Sequence, residues 1–350
     1  MTTAPRGDAQ GDGRYGEAVF RPEQEGEGER IDFGALAYDD ITMARLRALG
    51  AGPGWRCLDV GAGTGTVSRR LLEEAGVTGV LAVDRDVRFL LERPVTGLDV
   101  LEADITDPDF APGRFRLVHA RFVLMHLPGR ERLITRLAEL VEPGGVLVLS
   151  DAVDLTSGLT VDAAVDAATG TTSGSATGTT SGSAAGTTSG SAAGTTSGSA
   201  ADLPAGATGD GAGGQAAGTP YTSMMRAMWK ALRDTIGTDV SRVPSYPRLL
   251  RGAGLVPVAA EIHVPPLEPG SPISRFWADT WERSRAPMLA TGLVDDAAVD
   301  EAIRYLDSDA CAALSAGMLT AWGRKPEESD GAVPSGAPDR PRPAHPEETA

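Results

Sequence analysis

The stretch RCLDVGAGTGTVSRRLLEEAG, from Arg56 to Gly76, carries the first residues that could do chemistry. An apolar run leads into Gly61, Gly63 and Gly65, and a helical pattern follows them. Glycines at this spacing let the backbone approach a ligand that side chains would block. The dinucleotide fingerprint requires a third glycine where this chain has Thr66. The turn is typical of nucleotide binding without matching that fingerprint, and a packing role alone stays open.

Two aspartates that close later apolar runs could complete a nucleotide site. Asp84 ends the run GVLAVD, where a carboxylate can accept hydrogen bonds from both hydroxyls of a ribose. Asp104 follows a third run in EADI, where it could accept from an adenine amine while Ile105 packs against the ring. Aspartate also commonly caps helices and turns, so a structural role stays open for each. The pattern favours a ligand that contains adenosine.

Strand and helix patterns alternate around these residues. Apolar runs typical of buried strands occur at CLDV, GVLAVD, LDVLEAD, FRLVHA and VLVLS, with helical patterns between them and a first helix at 34–50. This alternation predicts a parallel sheet covered on both faces. LVPVAAEIHV and MLTAWGRKP predict two further strands, and the largely helical residues 271–306 between them are the expected substrate wall.

The composition limits the classes of function that this protein can have. The 350 residues carry a net charge of −16, which argues against a nucleic-acid-binding surface. Cys57 and Cys311 lie far apart and lack metal-ligand spacing, which fits a reducing compartment. No run resembles a secretory leader or a membrane span. We expect a cytoplasmic protein without membrane or nucleic-acid partners and without a metal site.

Low-complexity sequence divides the chain. Residues 1–30 and 327–350 are polar or proline-rich and are expected to be disordered. Within 157–219, octads such as ATGTTSGS and AAGTTSGS repeat and contain nothing larger than threonine, which predicts a flexible insertion. Because strands on both sides are needed to finish one sheet, we expect 31–156 and 220–326 to form a single domain.

Five segments in order resemble the motifs of class I S-adenosylmethionine-dependent methyltransferases, and in particular the actinobacterial small-molecule branch. They are LDVGAGTG, VDRD, EADI, FRLVHARFVLMHLP and LVEPGGVLVLSD. The resemblance implies an α/β fold, a Rossmann-like three-layer sandwich. Its seven-stranded, mostly parallel sheet has the last strand inserted antiparallel, and a helical substrate lid is added.

The same resemblance implies a site for S-adenosylmethionine as cofactor. It assigns Asp84 to the ribose, Asp104 and Ile105 to the adenine, and the backbone of Ala120 to a cofactor contact. The full set of implied cofactor-binding residues is Asp59, Gly61, Ala62, Gly63, Asp84, Arg85, Asp104, Ile105, Ala120 and Arg121.

Methyl transfer is an in-line displacement at an activated carbon, so positioning supplies most of the rate and few side chains are chemically required. An oxygen nucleophile usually needs a base, and His126 in LMHLP is the candidate catalytic residue, with packing or capping as its alternative. His119 lies inside an apolar strand and is expected to be a core histidine. Arg121 could bind an acidic substrate group or pair with a neighbouring carboxylate. Trp277 and Trp281, four residues apart, could line an aromatic pocket or form a packing stripe.

The leading interpretation is a methyltransferase acting on a small-molecule acceptor. A protein of this fold that binds the cofactor without catalysis is the main alternative, and an NAD-dependent oxidoreductase is a weaker one. The sequence leaves open the acceptor, the atom that is methylated and whether the chain forms a homodimer.

Overall fold

The computed structural model describes residues 15–155, 219–311 and 313–327. The predictions for residues 1–14, for nearly all of the insertion at 157–219 and for the tail beyond 327 fall outside the described residues. The helices are α1 (Glu27–Ala48), α2 (Thr66–Glu73), α3 (Arg88–Leu91), α4 (Arg130–Glu139), α5 (Pro220–Ile236), α6 (Tyr246–Gly252), α7 (Pro272–Arg283), α8 (Arg285–Ala290) and α9 (Asp296–Leu306). Short 3-10 helices span Leu124–His126 and Val240–Ser245.

One seven-stranded sheet organises the fold. Its strands are β1 (Arg56–Val60), β2 (Gly79–Asp84), β3 (Leu98–Glu102), β4 (Phe115–Arg121), β5 (Val141–Val153), β6 (Val258–His263) and β9 (Gly317–Arg324), in the order β3-β2-β1-β4-β5-β9-β6. The two-residue strands β7 (Pro266–Leu267) and β8 (Ala313–Leu314) form a separate pair.

The last strand enters the sheet antiparallel, as the sequence predicts. β9 lies between β5 and β6 and runs antiparallel to both, whereas β1 to β5 pair with one another only in parallel. Chain order reverses between β1 and β4, so the carboxyl ends of these two strands open a crevice where ligands commonly bind in such sheets. The predicted α/β architecture is confirmed.

The sheet is covered on both faces because its central strands carry buried apolar side chains on each of them. On one face, Met43 and Leu46 of α1 and Leu71 of α2 pack with Cys57 and Leu117 of the sheet. The other face belongs to a larger core in which α4, α5 and α6 participate. α5 also packs against α8 and α9, and α7 packs against α1. The helices after β6 therefore close one side of the fold, as expected for a substrate wall.

The structure corrects the prediction that residues 1–30 are disordered. α1 begins at Glu27, and Phe20 is buried, with the Arg30 guanidinium 4.3 Å from its ring centroid. The Tyr15 ring lies 5.4 Å from the Phe20 ring. The prediction is wrong for residues 15–30, because their few aromatic side chains find partners on elements that follow later in the chain.

The pattern also overestimates one helix. The run RDVRFLLER predicts a full helix, but α3 is a single turn, Arg88–Leu91, before Pro94. Among the described helices none is both long and apolar enough to cross a membrane.

Replacing Phe20 tests whether the N-terminal segment belongs to the fold. We expect Phe20→Ala to lower the free energy of unfolding by about 3 kcal/mol, the usual cost of removing a buried phenylalanine. Leu36→Ala, on the exposed side of α1, should change it by less than about 0.5 kcal/mol. Urea denaturation measures both, and equal effects would contradict the observed packing of residues 15–26.

Candidate functional site

A cavity of about 440 Å³ opens where β1 and β2 end and the segment after β4 begins. α1, α5, α7 and residues 15–23 complete its walls. The cavity therefore lies at the point where strand order reverses, and its volume is in the range of small-molecule sites. Among the sequence-predicted residues, the ones that line it are Asp59, Gly61, Ala62, Gly63, Asp84, Arg85, Asp104, Ile105, Arg121 and His126.

The glycine turn brings the end of β1 close to the segment after β4. Gly61 has a φ of 64°, and a Cβ at this position would fall far inside van der Waals contact with Val123. Its N–H donates to the carbonyl of Val83 at 2.7 Å, which ties the turn to β2. At Gly65, the N-cap of α2, a Cβ would lie 2.6 Å from Leu90. A side chain at Gly61 would displace Val123, which lines the cavity, and one at Gly65 would displace Leu90 behind it.

Asp84 connects the end of β2 to the same turn. Its carboxylate accepts a hydrogen bond from Gly63 N–H at 2.8 Å and a longer one from Asp86 N–H at 3.3 Å. Burial raises the pKa of this carboxyl above its usual value, and the backbone donors oppose that shift. The carboxylate is thus held by main-chain groups at the cavity wall rather than by a cation.

Both carboxylate oxygens of Asp59 have partners inside the protein. One carboxylate oxygen lies 2.8 Å from Nδ1 of His119, and the other accepts from Ser68 Oγ at 2.6 Å. His119 is buried and lines the cavity, and its Nε2 has no hydrogen-bond partner among the described residues. The expectation of a core histidine therefore holds for its burial, although the sequence did not indicate that the ring borders the cavity.

Asp104 and Ile105 line the cavity after β3. Asp104 Oδ1 accepts from the N–H and the hydroxyl of Thr106, at 2.8 and 2.6 Å, so it stabilises the turn that follows. The structural role that the sequence left open is real, and it coexists with a position at the cavity. Ile105 is buried and offers an apolar surface there.

Two arginines of the predicted set have carboxylate partners. Arg121 donates to Asp39 at 2.6 Å and to Thr42 at 3.0 Å, both on α1. Arg85 forms an ion pair with Glu17 at 2.6 Å. Of the alternatives for Arg121, pairing with a neighbouring carboxylate is the one observed.

Ala120 does not line the cavity. It is fully buried in β4 and pairs there with Val60 of β1 and Leu149 of β5. The prediction that it offers its backbone to a cofactor is not supported by this geometry, because β4 stays within the sheet through Arg121. The first residue out of the sheet is Phe122, which has the uncommon φ of 57°.

His126 lines the cavity in surroundings that disfavour a charged ring. Its Nδ1 lies 2.8 Å from Thr238 Oγ1, and its ring packs 4.6 Å from the Tyr15 ring. Burial lowers the pKa of His126 to about 3, and the charges of Arg30 and Arg130 add to the effect. A histidine that resists protonation is a poor general base, so the geometry favours the packing alternative.

Several aromatic side chains from distant parts of the sequence line the cavity together. We call Tyr15, Phe20, Trp229, Phe276 and Trp277 the aromatic wall. Trp277 belongs to the aromatic wall, whereas Trp281 is fully buried outside the cavity. Of the two tryptophans, the first therefore lines the pocket and the second has a packing role. The sequence pattern predicts disorder for residues 15–20, and Trp229 and Phe276 lie far from them in the chain, so no local signal indicates that these side chains line one cavity.

A buried ion pair lies against this wall. Both carboxylate oxygens of Glu27 accept from the Arg30 guanidinium, at 3.0 and 2.5 Å. Arg30 also donates to the hydroxyls of Tyr15 and Thr280, at 2.9 and 3.3 Å. These bonds link α1, α7 and the N-terminal segment, and Glu27 is shared with Arg283 of α7, whose Nε lies 3.6 Å from Glu27 Oε2.

Comparisons with known proteins agree with this architecture. Residues 32–169 match a family model described as a methyltransferase domain. Methyltransferase str3 of Strobilurus tenacellus is 32% identical over 127 residues, 36% of this chain and 45% of that protein. A demethylmenaquinone methyltransferase of Renibacterium salmoninarum is 34% identical over 126 residues, 33% of this chain and 52% of its own. The chain thus spans about half the length of the curated relatives it matches.

A solved S-adenosylmethionine-dependent methyltransferase from Mesorhizobium loti is 27% identical to this chain. The match covers 31% of this chain and 53% of that one, with a TM-score of 0.29. The residues that match the methyltransferase domain, 32–169, include all five parallel strands β1 to β5.

Alanine at Gly61 tests the close approach to Val123. We expect Gly61→Ala to destabilise the protein by at least about 2 kcal/mol more than Gly76→Ala. Gly76 has a similar φ of 67° but open space around its Cα, so its replacement isolates the backbone strain of about 1–2 kcal/mol. Adding Val123→Ala should restore part of the loss, and identical urea curves for the two glycine variants would contradict a steric constraint.

The pH dependence of stability tests the environment of His126. Below pH 6.5 an unfolded histidine binds a proton that the folded His126 does not, so the free energy of unfolding falls as the pH falls toward 3. Between pH 7.5 and 5 this contribution is about 1–2 kcal/mol, since the ring is partly exposed to the cavity.

We therefore expect the stability difference between the wild type and His126→Gln to shift by that amount over this range in denaturant titrations. His263→Gln, at a histidine that does not line the cavity, is the matched control. A difference that stays constant with pH would show that His126 titrates normally.

Proposed function

We propose that this protein transfers a methyl group from S-adenosylmethionine to a small-molecule acceptor by in-line displacement. The observation that carries the proposal is the convergence of nine of the ten implied cofactor residues on one cavity at the reversal of strand order. We further propose that residues 31–156 and 220–326 form a single domain and that the protein acts in the cytoplasm. We also propose that it belongs to the actinobacterial small-molecule branch of these methyltransferases.

The residues that line the cavity fit S-adenosylmethionine. Asp84 would accept hydrogen bonds from the ribose hydroxyls, since its carboxylate is fixed by Gly63 N–H and has further lone pairs. Ile105 would pack against the adenine, with Asp104 beside the exocyclic amine. Gly61, Ala62 and Gly63 would face the ligand without obstructing side chains. Arg85 and Arg121 would contribute indirectly, because they hold the carboxylates of Glu17 and Asp39 in place.

When bound, the cofactor supplies a methyl carbon that is already activated by a sulfonium. The protein's contribution is to align the acceptor and to keep water out of the displacement. Phe20, Trp229 and Trp277 are each less than 7% exposed, and they give the cavity an apolar wall. We assign no general base, because His126 is a poor proton acceptor and the proposed mechanism depends on alignment.

Asp84→Ala tests the cofactor site. We expect it to weaken S-adenosylhomocysteine binding about 10- to 100-fold, the usual effect of losing a hydrogen bond to a charged group. Calorimetric titration measures it, with Asp99→Asn on the exposed edge strand β3 as the matched control.

The same titration distinguishes the alternatives. Binding of S-adenosylmethionine and S-adenosylhomocysteine, followed by transfer of a labelled methyl group in an acceptor screen, supports the proposal. Binding of NADH alone would favour an oxidoreductase and overturn it. Tight cofactor binding with no transfer to any acceptor would favour a binding protein without catalysis.

A further inference from the structure

We propose that residues 15–26 form a strap that has to open for the cofactor to enter and leave, and that two exposed ion pairs, Glu17–Arg85 and Glu23–Arg88, latch it closed. This inference rests on the proposed function, because it concerns the exchange of the cofactor at that same cavity. It gives a role to a segment that the sequence pattern predicts to be disordered.

The strap lies along the part of the cavity where the cofactor site is proposed. Its ion-pair partners Arg85 and Arg88 follow directly after Asp84, the last residue of β2. Asp84 itself lines the cavity, with its carboxylate held by Gly63 N–H at 2.8 Å. The strap residues that line the cavity are Tyr15, Gly16, Glu17, Phe20, Pro22 and Glu23. A molecule whose ribose is bound by Asp84 therefore has the strap beside it.

The main chain of the strap is not tied to the sheet. Among the described residues, the backbone hydrogen bonds of residues 15–24 close turns within the segment or reach no further than Glu27. At the end that joins α1, Arg283 donates to the carbonyl of Glu25 at 2.8 Å. The strap can therefore move away from the cavity while that end stays anchored and the hydrogen bonds of the sheet remain intact.

Two exposed ion pairs fasten the strap to the segment after β2. Arg85 lies 2.6 Å from Glu17, and Arg88 lies 2.8 Å from Glu23. The side chains of Glu17 and Glu23 are 55% and 66% exposed, so salt in the solvent screens both pairs. Arg88 also pairs with Asp86 at 2.8 Å, which keeps it in place when the strap leaves. The two pairs are thus weak enough to open and are set to re-form.

Buried contacts make the closed strap the major state. Phe20 is buried, with the Arg30 guanidinium 4.3 Å from its ring centroid, and the Tyr15 hydroxyl accepts from Arg30 at 2.9 Å. The open strap is then a minor state whose population sets the rate of exchange. Exposed ion pairs contribute less than a buried phenylalanine, so their removal raises the open population while the strap still closes.

The test variant combines Glu17→Gln with Glu23→Gln, which removes both pairs at nearly constant side-chain size. The matched control combines Asp234→Asn with Glu282→Gln. These two carboxylates form exposed ion pairs on α5 and at the end of α7, and they do not line the cavity. Both double variants therefore change the net charge by the same amount and differ in whether the strap is affected.

Stopped-flow fluorescence of the full-length protein follows the binding of S-adenosylhomocysteine through Trp229 and Trp277, which line the cavity. The slope and the intercept of the observed rate against ligand concentration give the association and dissociation rate constants. We expect both constants to rise about fivefold in the strap variant, the equivalent of two exposed ion pairs, and less than about twofold in the control. They rise together because opening precedes entry as well as exit.

Salt provides a second measurement on the wild-type protein. S-adenosylhomocysteine carries no net charge at neutral pH, so its own encounter with the protein depends little on ionic strength. Between about 50 and about 500 mM NaCl we expect both wild-type rate constants to rise about threefold, toward those of the strap variant. The constants of the strap variant should change less than about twofold over the same range.

Three results would overturn the latch. Equal rate constants in the strap variant and the control would show that the two pairs do not restrain exchange. A rise in the dissociation rate constant alone would make Glu17 and Glu23 direct contacts of the ligand, and wild-type rates that ignore salt would exclude ion pairs as the latch. In each of these cases S-adenosylhomocysteine still binds and the proposed function stands. If it binds to none of the proteins, the proposed function fails and the latch fails with it.

Discussion

The approach of Gly61 to Val123 is the constraint on which the site depends. It brings the end of β1 against the segment that leaves β4, at the place where strand order reverses. A side chain at Gly61 would push these strand ends apart, and the N–H bonds from the turn to Val83 would be strained with them. Because the cavity is the space between these ends, α1, α5, α7 and residues 15–23, this contact defines one of its sides.

Several charged side chains around the cavity have their partners within the protein. Asp59 is held by His119 and Ser68, Arg121 by Asp39, and Arg30 by Glu27. Such pairs cost desolvation, and breaking one would leave an uncompensated buried charge. These charges are therefore paired inside the protein, whereas the Asp84 carboxylate at the cavity wall is held by main-chain N–H groups.

Asp151 shows how the loop after β4 is fixed. Its carboxylate accepts from Met125 N–H at 3.1 Å and from the Tyr246 hydroxyl at 2.5 Å. Burial raises the pKa of this carboxyl to about 7. This carboxyl of β5 protonates at a higher pH than usual, whereas His126, in the loop that Asp151 holds, stays neutral down to acid pH. The two groups therefore change the free energy of unfolding in opposite directions as the pH falls.

The sheet, the glycine turn and the two cavity acids could be predicted from the sequence, because each depends on a local pattern: apolar runs, glycine spacing and an acid at a strand end. Other features of the site depend on contacts between distant parts of the chain, which no local pattern shows. Tyr15, Phe20, Trp229 and Phe276 meet only after folding, and the partners of Arg121 lie on α1. The low pKa of His126 comes from burial, with the charges of Arg30 and Arg130 adding to it. Side chains far apart in the chain leave no periodic signal, so their joint role depends on packing alone.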